Sequence, residues 1–469
     1  MKMKLNQSKL KLILLCALSV SALNVFAASR DITENTTETG ASYDDSDTTT
    51  QAALNVATSA VTYTGTNITL SATNNGAVDN VVGRGAYIDN GAVLSLTGGS
   101  ITTIGSFGMA VHVVNTSSGT VNNVNIQTGG YQAYGTWVVN STLALTGGSI
   151  STTGSNGYGI VLVTSSGTVN NVNVQTTGVR GDGMKVATSS NLVLAGADIS
   201  TSGSNGYGMW FETNSSGTVS NANIQTTGDR SHGVYVTNTS ALTLTDSDIS
   251  TGGNSAYGIF ATGSSTVTVN LNGNTLSSTG ASDSHSILAS SATIALTGSN
   301  GSVITGNVWS QGGYSRVEIT LTDAGTEMHG NLRQTNVTSV LNLSIGAGVL
   351  FEGSGELDNL TLASGALLGY AGDVLQVTGE ITIGDDITID FSSLTETGDY
   401  LVFNWSGATI TGGTISEDQF NIAGEGIEGT FSVENNQLTF NATAVPEPST
   451  WFLIGAGLGA LALIRRRSS

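Results

Sequence analysis

The chain has 469 residues, of which 62 are glycine and only 10% are Asp, Glu, Lys or Arg. Its formal net charge of −20 repels the phosphate backbone of nucleic acids, which excludes nucleic-acid binding. Weakly charged polar chains are often disordered, but Val, Ile and Leu recur here at regular intervals and indicate an ordered fold.

The N-terminal segment has the parts of a secretory signal peptide. A lysine-rich start from Lys2 to Lys11 precedes an apolar stretch, and Ala27 ends a run of residues that suits cleavage. We therefore expect residues 1–27 to direct export and to be removed. The next residues, 28–58, are acidic and are predicted to form a disordered lead-in.

Residues 59–300 repeat with a period of 24 or 25 residues. One aliphatic column marks the repeat: Ile101, Ile126, Ile150, Val174, Ile199, Ile224 and Ile249. Two further columns keep its register, namely Leu96, Val121, Leu145, Val169, Leu194, Val219 and Leu244, and Thr103, Thr128, Thr152, Thr176, Thr201, Thr226 and Thr251. A glycine column follows at Gly108, Gly135, Gly159, Gly183, Gly208, Gly233 and Gly258. Alternating apolar residues between Gly, Ser, Thr and Asn turns predict short strands.

A repeat of this length is too short for a helical pair or a propeller blade, and it fits one turn of a parallel β-helix. The predicted fold is therefore all-β, a right-handed parallel β-helix solenoid, whose equivalent residues stack about 4.8 Å apart. Residues 301–444 remain strand-like with looser spacing and predict an irregular continuation, with a cap formed by strands at 400–404 and 437–440. Proline would remove ladder hydrogen bonds, which explains why the two prolines lie beyond this region.

The C-terminal residues 445–469 have three parts in a fixed order. They are Val445, Pro446, Glu447 and Pro448, then an apolar run at 451–464, then Arg465, Arg466 and Arg467. This order resembles the PEP-CTERM sorting signal. The resemblance implies a transmembrane helix that anchors the chain transiently in the inner membrane. It also implies an exosortase that cleaves the tail and releases the protein to the cell surface or exterior, often among exopolysaccharide.

The repeats resemble the β-helices of pectate-lyase-like enzymes and of autotransporter passengers, so a polysaccharide lyase or hydrolase is the alternative function. Such enzymes use clustered acids with an Arg or Lys. The nearest cluster comprises Arg180, Asp182, Asp229, Arg230 and His232. Its two halves would lie two rungs apart, about 10 Å, which is wide for one reacting centre. We therefore expect no catalytic residue. The other histidines, His112, His285 and His329, have no His or Asp partner at ligand spacing, so no metal site is expected, and no cofactor is expected either.

The column two residues after each glycine is the candidate contact site. It contains Ala110, Trp137, Val161, Lys185, Trp210, Tyr235 and Phe260. If Ile160 and Leu162 point inward, this column points outward, and its aromatic members would form a contact stripe for sugar rings or a partner protein. Burial under a loop remains the alternative. A neighbouring set is predicted to stack for structural reasons, namely Phe107, Tyr134, Tyr158, Tyr207 and Tyr257.

Ice binding is a further, minor alternative, because it requires two outward threonine columns separated by one residue. The outward neighbours of the Ile column are mainly Ser, Asn, Asp and Gln, which disfavours it. The sequence therefore predicts a non-enzymatic, exported β-helix protein that acts as an adhesin-like or structural component of the cell surface or extracellular matrix, with exopolysaccharide or surface glycans as its expected partners.

Overall fold

The computed structural model describes residues 28–45, 52–73, 83–281, 283–370, 372 and 374–445. The expected signal peptide and the sorting signal from Pro446 onward lie outside these residues. No helix within the described part has the length and apolar character needed to cross a bilayer.

Three ladders of parallel strands run along the molecule, because each full coil contributes one strand to each ladder. The first ladder contains Thr36–Thr39, Thr62–Ala72, Val93–Thr103, Ser118–Asn122, Thr142–Thr146, Ser166–Asn170, Asn191–Ala195, Ser216–Ser220, Ala241–Thr245, Thr266–Asn272, Thr293–Ser299, Arg316–Leu321, Val340–Ile345, Asn359–Leu362, Glu380–Ile383 and Thr409–Ile410. The second ladder shares the two long strands Thr62–Ala72 and Val93–Thr103, and adds Ser42–Asp45, Asn125–Thr128, Ser149–Thr152, Asn173–Thr176, Asp198–Thr201, Asn223–Thr226, Asp248–Thr251, Thr275–Ser278, Val303–Thr305, Glu327–His329, Leu350–Glu352, Leu367–Gly369, Ile387–Asp390 and Phe420–Ala423.

The third ladder forms a separate sheet. It contains Arg30–Asp31, Ala52–Val56, Arg84–Ile88, Met109–Val114, Tyr134–Val139, Ile160–Val163, Met184–Ala187, Met209–Glu212, Val234–Val236, Tyr257–Thr262, His285–Ser290, Asn307–Gln311, Leu332–Gln334, Gly355–Leu357, Leu375–Val377, Gly398–Asn404, Glu428–Glu434 and Gln437–Ala444. A short 3-10 helix spans Glu417–Gln419.

The inward-facing columns are those that the sequence predicts. In the second ladder Ile150 pairs with Ile126 on one side and with Val174 on the other, and each of these side chains is at most 2% exposed. The Leu/Val column of the first ladder and the Thr column of the second pair in the same register and are also buried. Burial of an aliphatic side chain stabilises the fold by about 1.5–3 kcal/mol, and this gain recurs at every rung. The predicted parallel β-helix is confirmed.

Buried hydroxyl groups satisfy the backbone at the turns. The N–H of Ser165 donates to Ser190 Oγ at 3.0 Å, the N–H of Ser190 donates to Ser215 Oγ at 3.3 Å, and the pattern repeats along the stack. At another turn Thr201 Oγ1 donates to the carbonyl of Gly206 at 2.9 Å. Because an unpaired buried polar group is costly, Ser and Thr occupy inward positions where an aliphatic residue would leave a backbone group without a partner.

The disordered lead-in is corrected by the structure. Thr36–Thr39 and Ser42–Asp45 pair in parallel with Thr62–Ala72, and Arg30–Asp31 pairs with Ala52–Val56. Acidity suggested disorder, but Glu38 accepts hydrogen bonds from the hydroxyls of Tyr43 and Tyr63. The prediction is therefore wrong for residues 28–45, which form the first rung of the stack, and for 52–58, where Ala52–Val56 begins the second rung.

The C-terminal end of the stack changes from parallel to antiparallel pairing. Ile387–Asp390 still pairs in parallel with Phe420–Ala423, whereas Gln437–Ala444 pairs antiparallel with both Gly398–Asn404 and Glu428–Glu434. These antiparallel strands occupy the last rung of the third ladder, where an open edge could otherwise add a strand from another chain.

Candidate functional site

Two columns of aromatic side chains lie side by side on the outer surface of the third ladder. The tyrosine column contains Tyr134, Tyr158, Asp182, Tyr207, His232, Tyr257 and His285. The tryptophan column contains His112, Trp137, Val161, Lys185, Trp210, Tyr235, Phe260, Leu288 and Trp309. We call the two columns together the aromatic face.

Rings in the tyrosine column stack with nearly parallel planes. The centroids of Tyr134 and Tyr158 are 5.2 Å apart, those of Tyr207 and His232 are 5.1 Å apart, and those of His232 and Tyr257 are 4.6 Å apart. These separations follow the rung spacing of the ladder, about 4.8 Å. The predicted stacking of Tyr134, Tyr158, Tyr207 and Tyr257 is thus part of a longer column that also includes two histidines.

The four residues of the predicted contact stripe share the tryptophan column and are half-buried. Lys185 Nζ lies 3.6 Å from the centroid of the Trp210 ring, and Tyr235 stacks beyond Trp210 at 6.0 Å. Tyr235 in turn stacks on Phe260 at 4.9 Å. Because these contacts cover the ring faces, mainly the ring edges of the column point outward.

The register of the coil that contains Met109–Val114 differs from the predicted one. Trp137 pairs with His112, so His112 and not Ala110 belongs to the tryptophan column. Phe107 lies outside the tyrosine column and meets Tyr131 edge-on at 5.8 Å. The error arose because Gly108 was aligned with Gly135, whereas the ladder pairs Thr136 with Val111 and therefore aligns Gly135 with Ala110.

One coil interrupts both columns with charged side chains. Asp182 is 1% exposed and accepts the backbone N–H of Tyr207 at 2.8 Å. Lys185 forms an ion pair with Glu212 at 3.1 Å. Burial raises the pKa of Asp182 to about 7, and the Tyr207 N–H and Lys185 oppose this shift only in part. The aromatic face therefore contains a buried carboxyl group that titrates near neutral pH.

The cluster that could have indicated polysaccharide cleavage is not brought together as one centre. Arg180, Asp229 and Arg230 are exposed at turns. Asp182 and His232 are buried in the tyrosine column and are separated by the ring of Tyr207. His232 Nδ1 accepts the N–H of Tyr257 at 3.0 Å, and burial lowers its pKa to about 3. It is therefore held as a neutral ring in the stack.

A second acid and histidine contact was missed by sequence reasoning. His329 Nε2 lies 3.1 Å from Glu327 Oε2, and His329 Nδ1 lies 2.9 Å from Glu352 Oε2 in the next coil. Burial alone would lower the pKa of His329, but the hydrogen bonds to both glutamates raise it. No group of three or more His, Cys, Asp or Glu residues in the described part of the chain could hold a metal ion.

Comparison with known families supports both parts of the predicted architecture. The model of the right handed beta helix region matches residues 109–276 and, in an overlapping alignment, 150–332. The PEP-CTERM protein-sorting motif matches residues 444–468, where the sequence predicts a sorting signal. The chain is a right-handed parallel β-helix protein, and it carries a PEP-CTERM sorting motif. This motif implies export and sorting at a membrane.

A solved structure shows the same fold over most of the chain. It is a chain in "The cryo-EM structure of the Vag8-C1 inhibitor complex", with 14% sequence identity and a TM-score of 0.51. The similarity covers 85% of this chain and 99% of that chain. At this identity the likeness shows the fold alone. A search of curated proteins finds no match.

Proposed function

We propose that the protein is an exported, non-enzymatic β-helix scaffold of the cell surface or extracellular matrix. Its signal peptide and sorting tail would take it through transient anchoring in the inner membrane and processing by an exosortase. Adhesin-like contacts between the aromatic face and exopolysaccharide or surface glycans would then hold it in place.

The aromatic face is the observation that carries this proposal. Trp210, Tyr235 and Phe260 are half-buried on three consecutive coils of one ladder, so their edges keep the rung spacing, and Trp137 lies three coils before Trp210 in the same column. A ring edge offers little contact area by itself, but a polymer with its own repeat can meet several rings at once. Multivalent contact of this kind raises the overall affinity without a deep binding site.

Retention in a polysaccharide matrix tests the proposal. The double variant Trp137→Ala with Trp210→Ala is expected to release the protein severalfold more readily than the wild type, because it removes two ring contacts. Tyr314→Ala is the matched control, since Tyr314 is 86% exposed and lies outside the aromatic face. Equal retention of all three proteins would contradict the proposed contact.

The same assay distinguishes the non-enzymatic scaffold from the alternative function, a polysaccharide lyase or hydrolase. Incubation with the retained polysaccharide would generate new reducing ends if the protein were a hydrolase, or unsaturated ends if it were a lyase. The intact mass of protein recovered from the native medium tests the export route, because processing removes both terminal segments.

A specific observation also favours ice binding as a second candidate. From Thr62–Ala72 to Thr293–Ser299, the outward positions of the first ladder carry no charged side chain, and several coils have threonines two residues apart. These threonines include Thr62, Thr64, Thr66, Thr243, Thr245, Thr266 and Thr268. This surface lies on the first ladder, away from the outward neighbours of the Ile column. Thermal hysteresis that is lost in Thr243→Lys would support this candidate.

A further inference from the structure

The cross-section of the stack changes abruptly after the coil that contains His285. In that coil six residues of the sequence separate Thr275–Ser278 from His285–Ser290. In the next coil Gly306 alone connects Val303–Thr305 to Asn307–Gln311. The two following coils are almost as tight at this corner, with turns at 330–331 and 353–354.

This step leaves an open cleft of about 730 Å³, which we call the step cleft. Asp283 and its described neighbours Gly280 and Ala281 line one end of the cleft, and Asn307, Asn331 and Ser354 from the next three coils line its floor. The volume lies within the range of ligand pockets, roughly 300–1,000 Å³. The cleft contains no residue of the predicted contact stripe, and it shares His285 and Trp309 with the end of the aromatic face.

The floor of the step cleft presents oriented hydrogen-bond donors. Asn307 Oδ1 accepts the N–H of Asn331 at 2.9 Å, and Asn331 Oδ1 accepts the N–H of Ser354 at 3.1 Å. Because each amide oxygen is already bound to the next rung, the amide nitrogen of each asparagine is the group left for a ligand. The Arg333 guanidinium lies 4.6 Å from the centroid of the Trp309 ring and supplies further donors beside them.

The walls supply acceptors. Glu356 and Asp283 line opposite ends of the step cleft as exposed carboxyl groups. Gln334 donates its amide N–H to the carbonyl of Ser339 at 2.5 Å, which leaves its amide oxygen as an acceptor. Sugar hydroxyls donate and accept at once, so they match a surface where donors and acceptors alternate. An acidic glycan, by contrast, would be repelled by the two carboxylates and by the protein's net charge of −20.

We infer that the step cleft binds a segment of an uncharged glycan chain, with Asn307, Asn331 and Arg333 as donors and Asp283 and Glu356 as acceptors. The two carboxyl groups lie three rungs apart along the stack, about 14 Å between backbone positions, so they contact separate parts of the ligand. The inference rests on the proposed glycan attachment and assigns it a second site, beyond the four residues of the predicted contact stripe.

Binding of cello-, manno- and galacto-oligosaccharides to the whole protein, followed by Trp fluorescence and calorimetry, tests the inference. At least one of these probes is expected to bind, and oligogalacturonate is expected to bind more weakly. Arg333→Ala and Glu356→Ala should each weaken binding about tenfold, the effect of losing a hydrogen bond to a charged group. Arg316→Ala is the control, because Arg316 pairs with Glu318 on the first ladder, away from the cleft.

The inference is overturned if no uncharged oligosaccharide binds, if the charged oligomer binds as tightly, or if both variants bind like the control. Its failure is distinguishable from failure of the proposed function. If matrix retention depends on Trp137 and Trp210 but no oligosaccharide binds, only the inference about the step cleft is overturned. If the protein binds oligosaccharides but is never exported, only the proposed function as an exported scaffold is overturned. Equal unfolding midpoints of the variants and wild type exclude misfolding as the cause.

Discussion

Two side chains of the tyrosine column respond to pH in opposite directions. Burial raises the pKa of Asp182 from its ordinary value of 3.8 to about 7, so the folded state favours the neutral acid. Its contribution to stability is complete below the ordinary value and declines as the pH rises to about 7. Burial lowers the pKa of His232 from 6.5 to about 3, so its contribution declines as the pH falls across that range.

Asp182→Asn is expected to remove the first of these effects. The amide keeps an oxygen for the Tyr207 N–H but carries no charge to desolvate. The variant should therefore gain stability relative to wild type as the pH rises from 4 to 7, with a slope of at most about 1.4 kcal/mol per pH unit. Urea unfolding at several pH values measures this difference. Asp198→Asn, at an exposed position of the second ladder, is the matched control substitution, and a flat difference for Asp182→Asn would refute the assignment.

At the scale of a single strand, the glycine column sets how closely the second and third ladders approach. A Cβ atom at Gly183 would lie 2.4 Å from Ile199 Cγ2 and 2.6 Å from the carbonyl oxygen of Gly208. Comparable contacts recur at Gly159 and Gly233. The periodic glycines therefore reflect close packing of the strand start against the Ile column, which is why they share its period.

Gly183→Ala is expected to destabilise the protein by about 1–3 kcal/mol, the usual cost of overpacking a core. Gly252→Ala is the matched control, because a Cβ atom there meets no neighbour within 4 Å. Chemical unfolding of the two variants measures the difference. If both variants lose the same stability, contact with Ile199 would not be the cause of the loss, because Gly→Ala by itself lowers the entropy of the unfolded chain and does not destabilise through it.

The strand pattern was predictable from sequence, and its exceptions have physical causes. The columns through Ile150 and Leu145 were readable because buried positions accept few side chains, and this restriction recurs at each rung. The place of His112, and not Ala110, in the tryptophan column was not predictable. The turns before Met109–Val114 and Tyr134–Val139 differ, so Gly108 and Gly135 do not occupy the same position in the ladder. The strands of the lead-in were also missed, since their pairing with Thr62–Ala72 leaves no repeat in the sequence.

The candidate sites were less predictable than the ladders. The outward position of Trp210 follows from alternation, but the contact of Lys185 with its ring depends on side-chain conformation across two coils. The step cleft arises from a shortened turn at Gly306. The irregular spacing of the sequence repeat in this region indicates that the coils change, but it does not indicate which turn of the coil becomes shorter. The sequence therefore indicates which residues point outward, but it does not indicate the side-chain contacts or the clefts that they form.

At the scale of the whole molecule, each coil contacts mainly its neighbours, so stability is approximately a sum of local terms. Phe440 lies in the antiparallel end of the third ladder and stacks on Phe391 with ring centroids 4.1 Å apart. Phe211 is equally buried but lies in the middle of the stack. Loss of either ring should cost about 3–5 kcal/mol in the coils that contact it.

Hydrogen exchange measured by mass spectrometry distinguishes a local loss of stability from a loss over the whole solenoid. Phe440→Ala is expected to speed exchange in Gly398–Asn404 and Gln437–Ala444 while leaving Asn173–Thr176 protected, because the intervening coils keep their own ladder bonds. Phe211→Ala should have the reverse effect and speed exchange in the coils on both sides of Met209–Glu212. Uniformly faster exchange in both variants would mean that the solenoid unfolds as one cooperative unit and that coupling extends well beyond adjacent coils.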